Sequence, residues 1–288
     1  MEKLKYKAYA KVNLTMDVLR KREDGYHDVD LLMQSVSLHD ELTFENAETL
    51  FLTIEGGLPV EDNNLVLRAA RRLAENAGVT PYGHVHLKKN IPVAAGLGGG
   101  SADCAAALVG FAKLWGLNYT QDDLAKLGAP LGADVPFCVL GGTKRCVGIG
   151  TDLENVDSRL PLHLVIIKPC EGLLTREIYE SLRFTEEMKH PSTEGAIRAV
   201  ESGSLEALFP CMGNVMEKIS VEKRPGIAEA IARLNENGAA AARMSGSGSA
   251  VFGLFETKEK AENAAKALRE KYKECFAAES VRFGVECV

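Results

Sequence analysis

Residues 91–108 run I-P-V-A-A-G-L-G-G-G-S-A-D-C-A-A-A-L, and no other stretch restricts the possible folds as tightly. Gly96, Gly98, Gly99 and Gly100 let the backbone bend and approach a ligand where a Cβ would obstruct it. The alanine-rich run after Ser101 predicts a helix over about 101–115, stopped by Gly116. The first N–H groups of such a helix lack intrahelical partners, and with the helix dipole they favour a di- or triphosphate. Ser101 would cap the helix, or bind a phosphate or its magnesium; the residues alone leave both open. No G-K-[ST] follows the glycines, so this is not a P-loop. A dinucleotide-binding turn fits poorly, because Pro92 interrupts the approach. Asp122 and Asp123, the acidic residues at suitable distance, fall at a helix start.

The strand that precedes the loop in the chain is equally informative. From 6 to 19, Ala8, Ala10, Val12, Leu14, Met16 and Val18 alternate with Lys7, Tyr9, Lys11, Asn13, Thr15 and Asp17. Period-two alternation predicts a half-buried antiparallel strand with a polar outer face. Further strands are expected within 29–44, 50–54, 84–89 and 143–149. A helix should follow E-D-N-N and end at Gly78, and Thr120 with Asp123 predicts a capping box for another near 121–127. After the polar run T-D-L-E-N-V-D-S-R, L-P-L-H-L-V-I-I-K-P starts a new buried strand. A domain boundary is expected there, giving units 1–158 and 159–288. Helices near 173–183, 193–200, 204–218, 225–237 and 257–273 and strands near 239–244, 250–255 and 280–287 complete an α+β pattern in both halves.

The chain has 288 residues and a formal net charge of −6, which argues against a nucleic-acid binder with a broad basic face. No apolar run approaches the ~20 residues needed to span a bilayer, and the start M-E-K-L-K-Y lacks a signal-peptide core, so a cytoplasmic protein is expected. The seven scattered cysteines contain no C-x-x-C pair, which favours buried thiols over disulfides or zinc. His84 and His86 share one strand face. With no third ligand nearby, a polar strand face is the simpler account of them.

Three further segments stand beside the glycine loop: A-K-V-N-L at 10–14, L-G-A-D-V-P-F at 131–137 and M-S-G-S-G-S-A-V-F-G at 244–253. Together with P-x3-G-L-G-x-G-S from Pro92, they resemble, in order, the signature motifs of the GHMP small-molecule kinases. D-G-Y-H-D-V-D-L-L-M-Q-S-V-S-L-H-D at 24–40 and E-D-N-N-L-V-L-R-A-A at 61–70 resemble the branch whose acceptor carries a cytidine diphosphate. The resemblance implies a two-domain fold, the first domain like the second domain of ribosomal protein S5 and the second ferredoxin-like. It also implies transfer of the γ-phosphoryl of ATP, with Mg2+, to the 2-hydroxyl of a cytidine-diphosphate-linked polyol. Partners would be these small molecules, not nucleic acid or membrane, and the protein a monomer or homodimer.

By the same resemblance Asp134 takes the acceptor's proton, and Lys11 faces it and steadies charge near the attacking oxygen; a plain salt bridge is the alternative for that pair. Asn13 would bond the acceptor's hydroxyls. Tyr26 and His27 would read the cytosine, with Thr175 and Tyr179 of G-L-L-T-R-E-I-Y completing the stack, unless Tyr179 belongs to the core. Asn64, Leu65 and Lys89 would contact adenine. Pro92, Gly96, Leu97, Gly98, Gly99, Gly100 and Ser101 would hold the phosphates, Ser101 also being a candidate Mg2+ ligand. Gly246, Ser247 and Gly248 would line the acceptor side. Relatives commonly carry a second serine after the glycines; here it is Ala102, which removes one hydroxyl but no backbone amide. Two other readings stay open: a GHMP kinase for mevalonate, homoserine or a sugar, and a catalytically silent nucleotide-binding protein.

Overall fold

Two long strands, β1 (Leu4–Lys21) and β2 (His27–Glu45), pair antiparallel along nearly their whole length and form the spine of the first sheet. The computed structural model describes residues 3–56, 60–185 and 188–288. After the hairpin come β3 (Leu50–Ile54), α1 (Leu65–Ala77), β4 (Gly83–Lys88), α2 (Gly99–Leu114), α3 (Gln121–Gly128), α4 (Val135–Leu140), β5 (Thr143–Gly148) and β6 (Asp152–Asn155). The chain continues through β7 (His163–Ile167), α5 (Thr175–Ser181), α6 (Thr193–Ser202), α7 (Leu205–Leu208), β8 (Gly213–Asn214), α8 (Glu217–Lys223) and α9 (Gly226–Glu236). It ends with β9 (Ala241–Met244), β10 (Val251–Phe255), α10 (Lys258–Leu268), β11 (Cys275–Glu279) and β12 (Val285–Cys287).

The first sheet runs β12-β1-β2-β4-β3, with β5 beside β2, β6 beside β5 and the short β8 beside β1. The second is β11-β7-β10-β9. Numbered within its own unit, that order is 4-1-3-2. With helices between its first and second and its third and fourth strands, this is the ferredoxin-like arrangement. The fold is α+β, as expected. The chain's last strand crosses back: β12 pairs with β1 rather than with the second sheet.

Local chemistry explains most element ends. Asn64 caps α1 by accepting from the Val66 amide, and Gly78 ends it in the left-handed region. Thr120 and Asp123 form the predicted capping box on α3. Helix α2 begins at Gly99, two residues earlier than expected, and is buried nearly all round.

Several expectations need correcting. The helix expected over 204–218 breaks into α7, a 3-10 turn containing Pro210, β8 and α8, because proline cannot continue the hydrogen-bond ladder. Of the strand expected at 280–287 only Val285–Cys287 forms, as β12, while β11 lies before that range at Cys275–Glu279, and the helix from 257 stops at Leu268. Asp134 lies in a turn, at the N-cap position of the short α4. Finally, the polar face of β1 is not open to water: Lys11, Asn13, Thr15 and Asp17 are all buried. The glycine loop covers Lys11, and the second half of the chain covers Asn13, Thr15 and Asp17. The Asn13 amide donates to Ser245 Oγ at 3.3 Å, Thr15 and Thr193 hydroxyls meet at 3.0 Å, and His190 Nδ1 lies 2.7 Å from Asp17. Alternation reveals that a strand has two faces, but not what lies against the polar one.

Candidate active site

The glycine loop is held from both sides. The Lys11 amide donates to the Leu97 carbonyl at 3.0 Å, and the Ala250 amide donates to the Ala95 carbonyl at 3.0 Å. Ser245 Oγ donates to the Gly96 carbonyl at 3.0 Å. The approach is close enough to demand glycine. Gly96 has φ +77°, and a Cβ there would lie 2.2 Å from the Ser245 carbonyl oxygen. The loops at 94–100 and 244–249 therefore form one bed, and the first amides of α2 open onto it. Gly98, at φ +72°, occupies the cap position of α2 without a side-chain bond. Ser101 is thus the third residue of the helix and not its cap, which removes that alternative and leaves its hydroxyl in the cavity wall.

Beside the bed, β1 delivers Lys11 and α4 delivers Asp134. Lys11 Nζ donates to Asn13 Oδ1 at 2.7 Å and lies 3.5 Å from Asp134 Oδ2. The lysine stem is packed under the loop, where a Cβ on Gly98 would come within 3.0 Å of Lys11 Cγ. Asp134 makes no side-chain bond to its own helix, and a third of its side chain is exposed, so the carboxylate is available to a ligand.

A cavity of about 800 Å3 joins these groups, lined by Lys11, Asn13, Asn64, Leu65, Lys89, Asp134, Thr175, Tyr179, Gly246 and Ser247 as well as by Pro92 and the 96–101 loop. Thr175 Oγ1 and Ser247 Oγ, 2.9 Å apart, tie α5 to the second loop. The sequence-predicted residues outside that lining are Tyr26, His27 and Gly248. His27 stands next to it, its ring 4.8 Å from Tyr179 and 6.3 Å from Phe184. Burial, then Lys21, lowers the His27 pKa and so favours the neutral imidazole. Tyr26 is 62% exposed at the tip of the D-G-Y-H turn. Gly248 is packed against Met244 beneath the loop.

Sequence reasoning missed two carboxylates. Lys89 Nζ bridges Asp40 at 2.5 Å and Asp103 at 2.7 Å. Asp40 also accepts the amides of Asn90 and Ile91 at 2.6 and 2.8 Å, while Asp103 Oδ1 is buried and, among the described residues, has no partner. Burial pushes the Asp103 pKa well up, against the pull of Lys89. For Lys89, burial works downward and the two carboxylates together more than offset it. Asp103 lines the cavity and lies inside the S-A-D-C-A-A-A run after the glycines, so its position was visible; its partners, 14 residues upstream and on β2, were not.

Among the described residues no three His, Cys, Asp or Glu side chains cluster as metal ligands. His84 and His86 both bond Thr53 Oγ1, at 2.8 and 3.1 Å, and Phe51 stacks on His84. The cysteines are all free thiols. No helix among the described residues is long and apolar enough to cross a membrane.

A glycine bed at a helix start, a lysine–aspartate pair beside it and a ferredoxin-like second unit define a GHMP-type small-molecule kinase. Family models agree: GHMP kinases N terminal domain matches residues 64–142 and GHMP kinases C terminal matches 196–274. Within that class, the chain belongs to the 4-diphosphocytidyl-2-C-methyl-D-erythritol kinases. It is 40% identical over 271 residues to the 4-diphosphocytidyl-2-C-methyl-D-erythritol kinase of Caldicellulosiruptor saccharolyticus, covering 93% of each chain. It is 43% identical over 265 residues to that of Pelotomaculum thermopropionicum, covering 91% of this chain and 92% of the relative. A crystal structure of 4-(cytidine 5'-diphospho)-2C-methyl-D-erythritol kinase superposes with a TM-score of 0.83 at 34% identity, over 96% of this chain and 98% of that one. A homoserine kinase from Cytophaga hutchinsonii shares the fold, with a TM-score of 0.78 at 18% identity, over 100% of this chain and 98% of that one.

Proposed function

We propose that this chain transfers the γ-phosphoryl group of ATP to the 2-hydroxyl of 4-diphosphocytidyl-2-C-methyl-D-erythritol, giving the 2-phosphate and ADP, in the non-mevalonate route to isopentenyl diphosphate. The observation that carries the reading is the opening of the Lys11–Asp134 pair onto the same cavity as the glycine bed, with the Tyr179–His27 ring pair at its margin. A base reader is what separates this acceptor from mevalonate or homoserine, which have no base to stack.

In the proposed mechanism the amides at 96–101 hold the ATP phosphates, and Leu65 and Asn64 flank the purine. The acceptor hydroxyl oxygen attacks the γ-phosphorus in line as the bond to the bridging β–γ oxygen breaks and ADP leaves. The hydroxyl proton passes to Asp134. Lys11, oriented by Asn13, stabilises charge around the attacking oxygen and also supplies the cation that a P-loop would carry after its glycines. Cytosine stacks on Tyr26 and Tyr179, and the neutral His27 offers one donor and one acceptor to the base edge. Thr175, Gly246 and Ser247 hold the acceptor's phosphate side.

Magnesium accompanies the nucleotide in this proposal. Mg2+ takes one or two protein oxygens beside substrate phosphates, and Ser101, which lines the cavity, would supply one. When bound it neutralises phosphate charge. ATP and a charged cytidyl polyol are solutes of the cytoplasm, where we place the reaction.

Coupled ADP release with the cytidyl diphosphate acceptor, mevalonate and homoserine tests the reading. Turnover with the first alone is expected. Turnover with mevalonate or homoserine instead, or ATP binding without turnover on any acceptor, contradicts it.

A further inference from the structure

A second cavity, of about 750 Å3, shares no lining residue with the first. It lies where β5 and β6 meet the 156–161 connection between the two sheets and the 280–282 segment leading into β12. Its charged lining is Lys144, Arg159 and Arg282 against Asp157 alone, a local excess of cations in a chain of net charge −6.

These cations are poorly matched by the protein itself. Lys144 is only 7% exposed, yet its ammonium bonds the Asn155 side-chain oxygen and, among the described residues, no carboxylate lies within 4.0 Å. Asp122 acts on it only from beyond ion-pair distance. A buried ammonium normally has an anionic partner, because leaving water costs several kcal/mol that a neutral amide does not return. Burial lowers its pKa accordingly. Arg282 is exposed at the rim, and the Arg159–Asp157 pair, 3.5 Å apart, is exposed on both sides, so it neutralises little. Ser158 Oγ is buried beside the same wall and, among the described residues, has no hydrogen-bond partner. The remaining wall includes Leu140, Leu160 and Val281, and the volume far exceeds that of a bare phosphate ion.

We infer that this cavity binds a small organic phosphate or diphosphate ester, its charged end among Lys144, Ser158 and Arg282 and its short apolar part against Leu140, Leu160 and Val281. An occupant of this kind completes the charge of Lys144 and covers apolar wall. It would touch Leu140–Gly142, the end of the helix whose other end carries Asp134, and would clasp the connection between the two sheets.

The test is a titration of the full chain with phenyl phosphate in the presence of a saturating non-hydrolysable ATP analogue, which blocks the glycine bed. Amide NMR reports on Gly141, Gly142 and Ser158, and phenol serves as the uncharged comparison. Saturable shifts at these amides are expected with phenyl phosphate and not with phenol. Lys144→Gln and Arg282→Ala should each weaken binding about tenfold or more, the scale of a lost charged hydrogen bond. Arg282 is exposed, so that variant keeps the test open if Lys144→Gln fails to fold. Absent shifts, equal binding of phenol, or unchanged affinity in Arg282→Ala would overturn the inference. Kinase activity is read separately, so failure here leaves the proposed reaction standing.

Discussion

Replacing Gly96 by alanine probes the contact that builds the nucleotide bed. Two penalties add at this position. A left-handed backbone, φ +77°, costs an alanine about 1–2 kcal/mol. Its Cβ would also fall 2.2 Å from the Ser245 carbonyl oxygen, and backbone on both sides leaves no flexible side chain to yield. Forced repacking of that kind costs about 1–3 kcal/mol, so Gly96→Ala should destabilise by about 2–5 kcal/mol in all. Gly78→Ala is the matched control: φ is +68°, and a methyl group there would meet nothing within 4 Å. It should lose only the conformational part, about 1–2 kcal/mol. At about 2–4 °C per kcal/mol, thermal melts should drop by about 4–20 °C for Gly96→Ala and about 2–8 °C for Gly78→Ala. Because the displaced loop carries the phosphate-facing amides, KM for ATP should rise in Gly96→Ala and stay unchanged in Gly78→Ala. Equal melts and equal KM values in the two variants would refute the claim that the 94–100 and 244–249 loops are locked together through this glycine.

Two other outcomes follow from the cavity. Asp103→Asn replaces the buried carboxyl by a neutral amide of the same shape and leaves Lys89 paired with Asp40. Since the folded-state pKa of Asp103 is raised, the native carboxyl keeps a proton that the unfolded chain releases, and wild-type stability falls as pH rises from the unfolded value through the raised one. The melting temperature of Asp103→Asn relative to wild type should therefore climb across a series from acid to mildly alkaline pH; a flat or falling difference would show that Asp103 is not the group holding the proton. Tyr179→Ala should raise KM for the cytidyl acceptor about tenfold, on the scale of base–aromatic stacking, with kcat for that acceptor little changed; an unchanged KM would place Tyr179 in the core alone.

The α+β layout, the capping box at Thr120, the end of α1 at Gly78 and a glycine loop opening a helix were legible because each depends on neighbours in sequence. Lys11, Asn13 and Asp134 were recognisable only through the company of several motifs, since a lysine and an aspartate some 120 residues apart carry no pairing signal of their own. What stayed hidden was tertiary. The burial of the polar face of β1 depends on the 244–249 loop and α6 arriving against it, and the hold of Asp40 on Lys89 spans β2 and the end of β4. Helix α4 was missed because V-P-F-C-V-L is too short and too apolar to display a helical period. The return of β12 to β1 was missed because three residues carry almost no pattern.

The central claim is that Asp134, 3.5 Å from Lys11 and opening onto the glycine bed, receives the acceptor's proton. Single-turnover phosphoryl transfer by Asp134→Asn, with saturating ATP and the cytidyl diphosphate acceptor, measures it most directly. The rate should fall by about 10²-fold or more, the usual contribution of a positioned base, while ATP affinity stays within a few-fold of wild type. A near-normal rate would contradict the account.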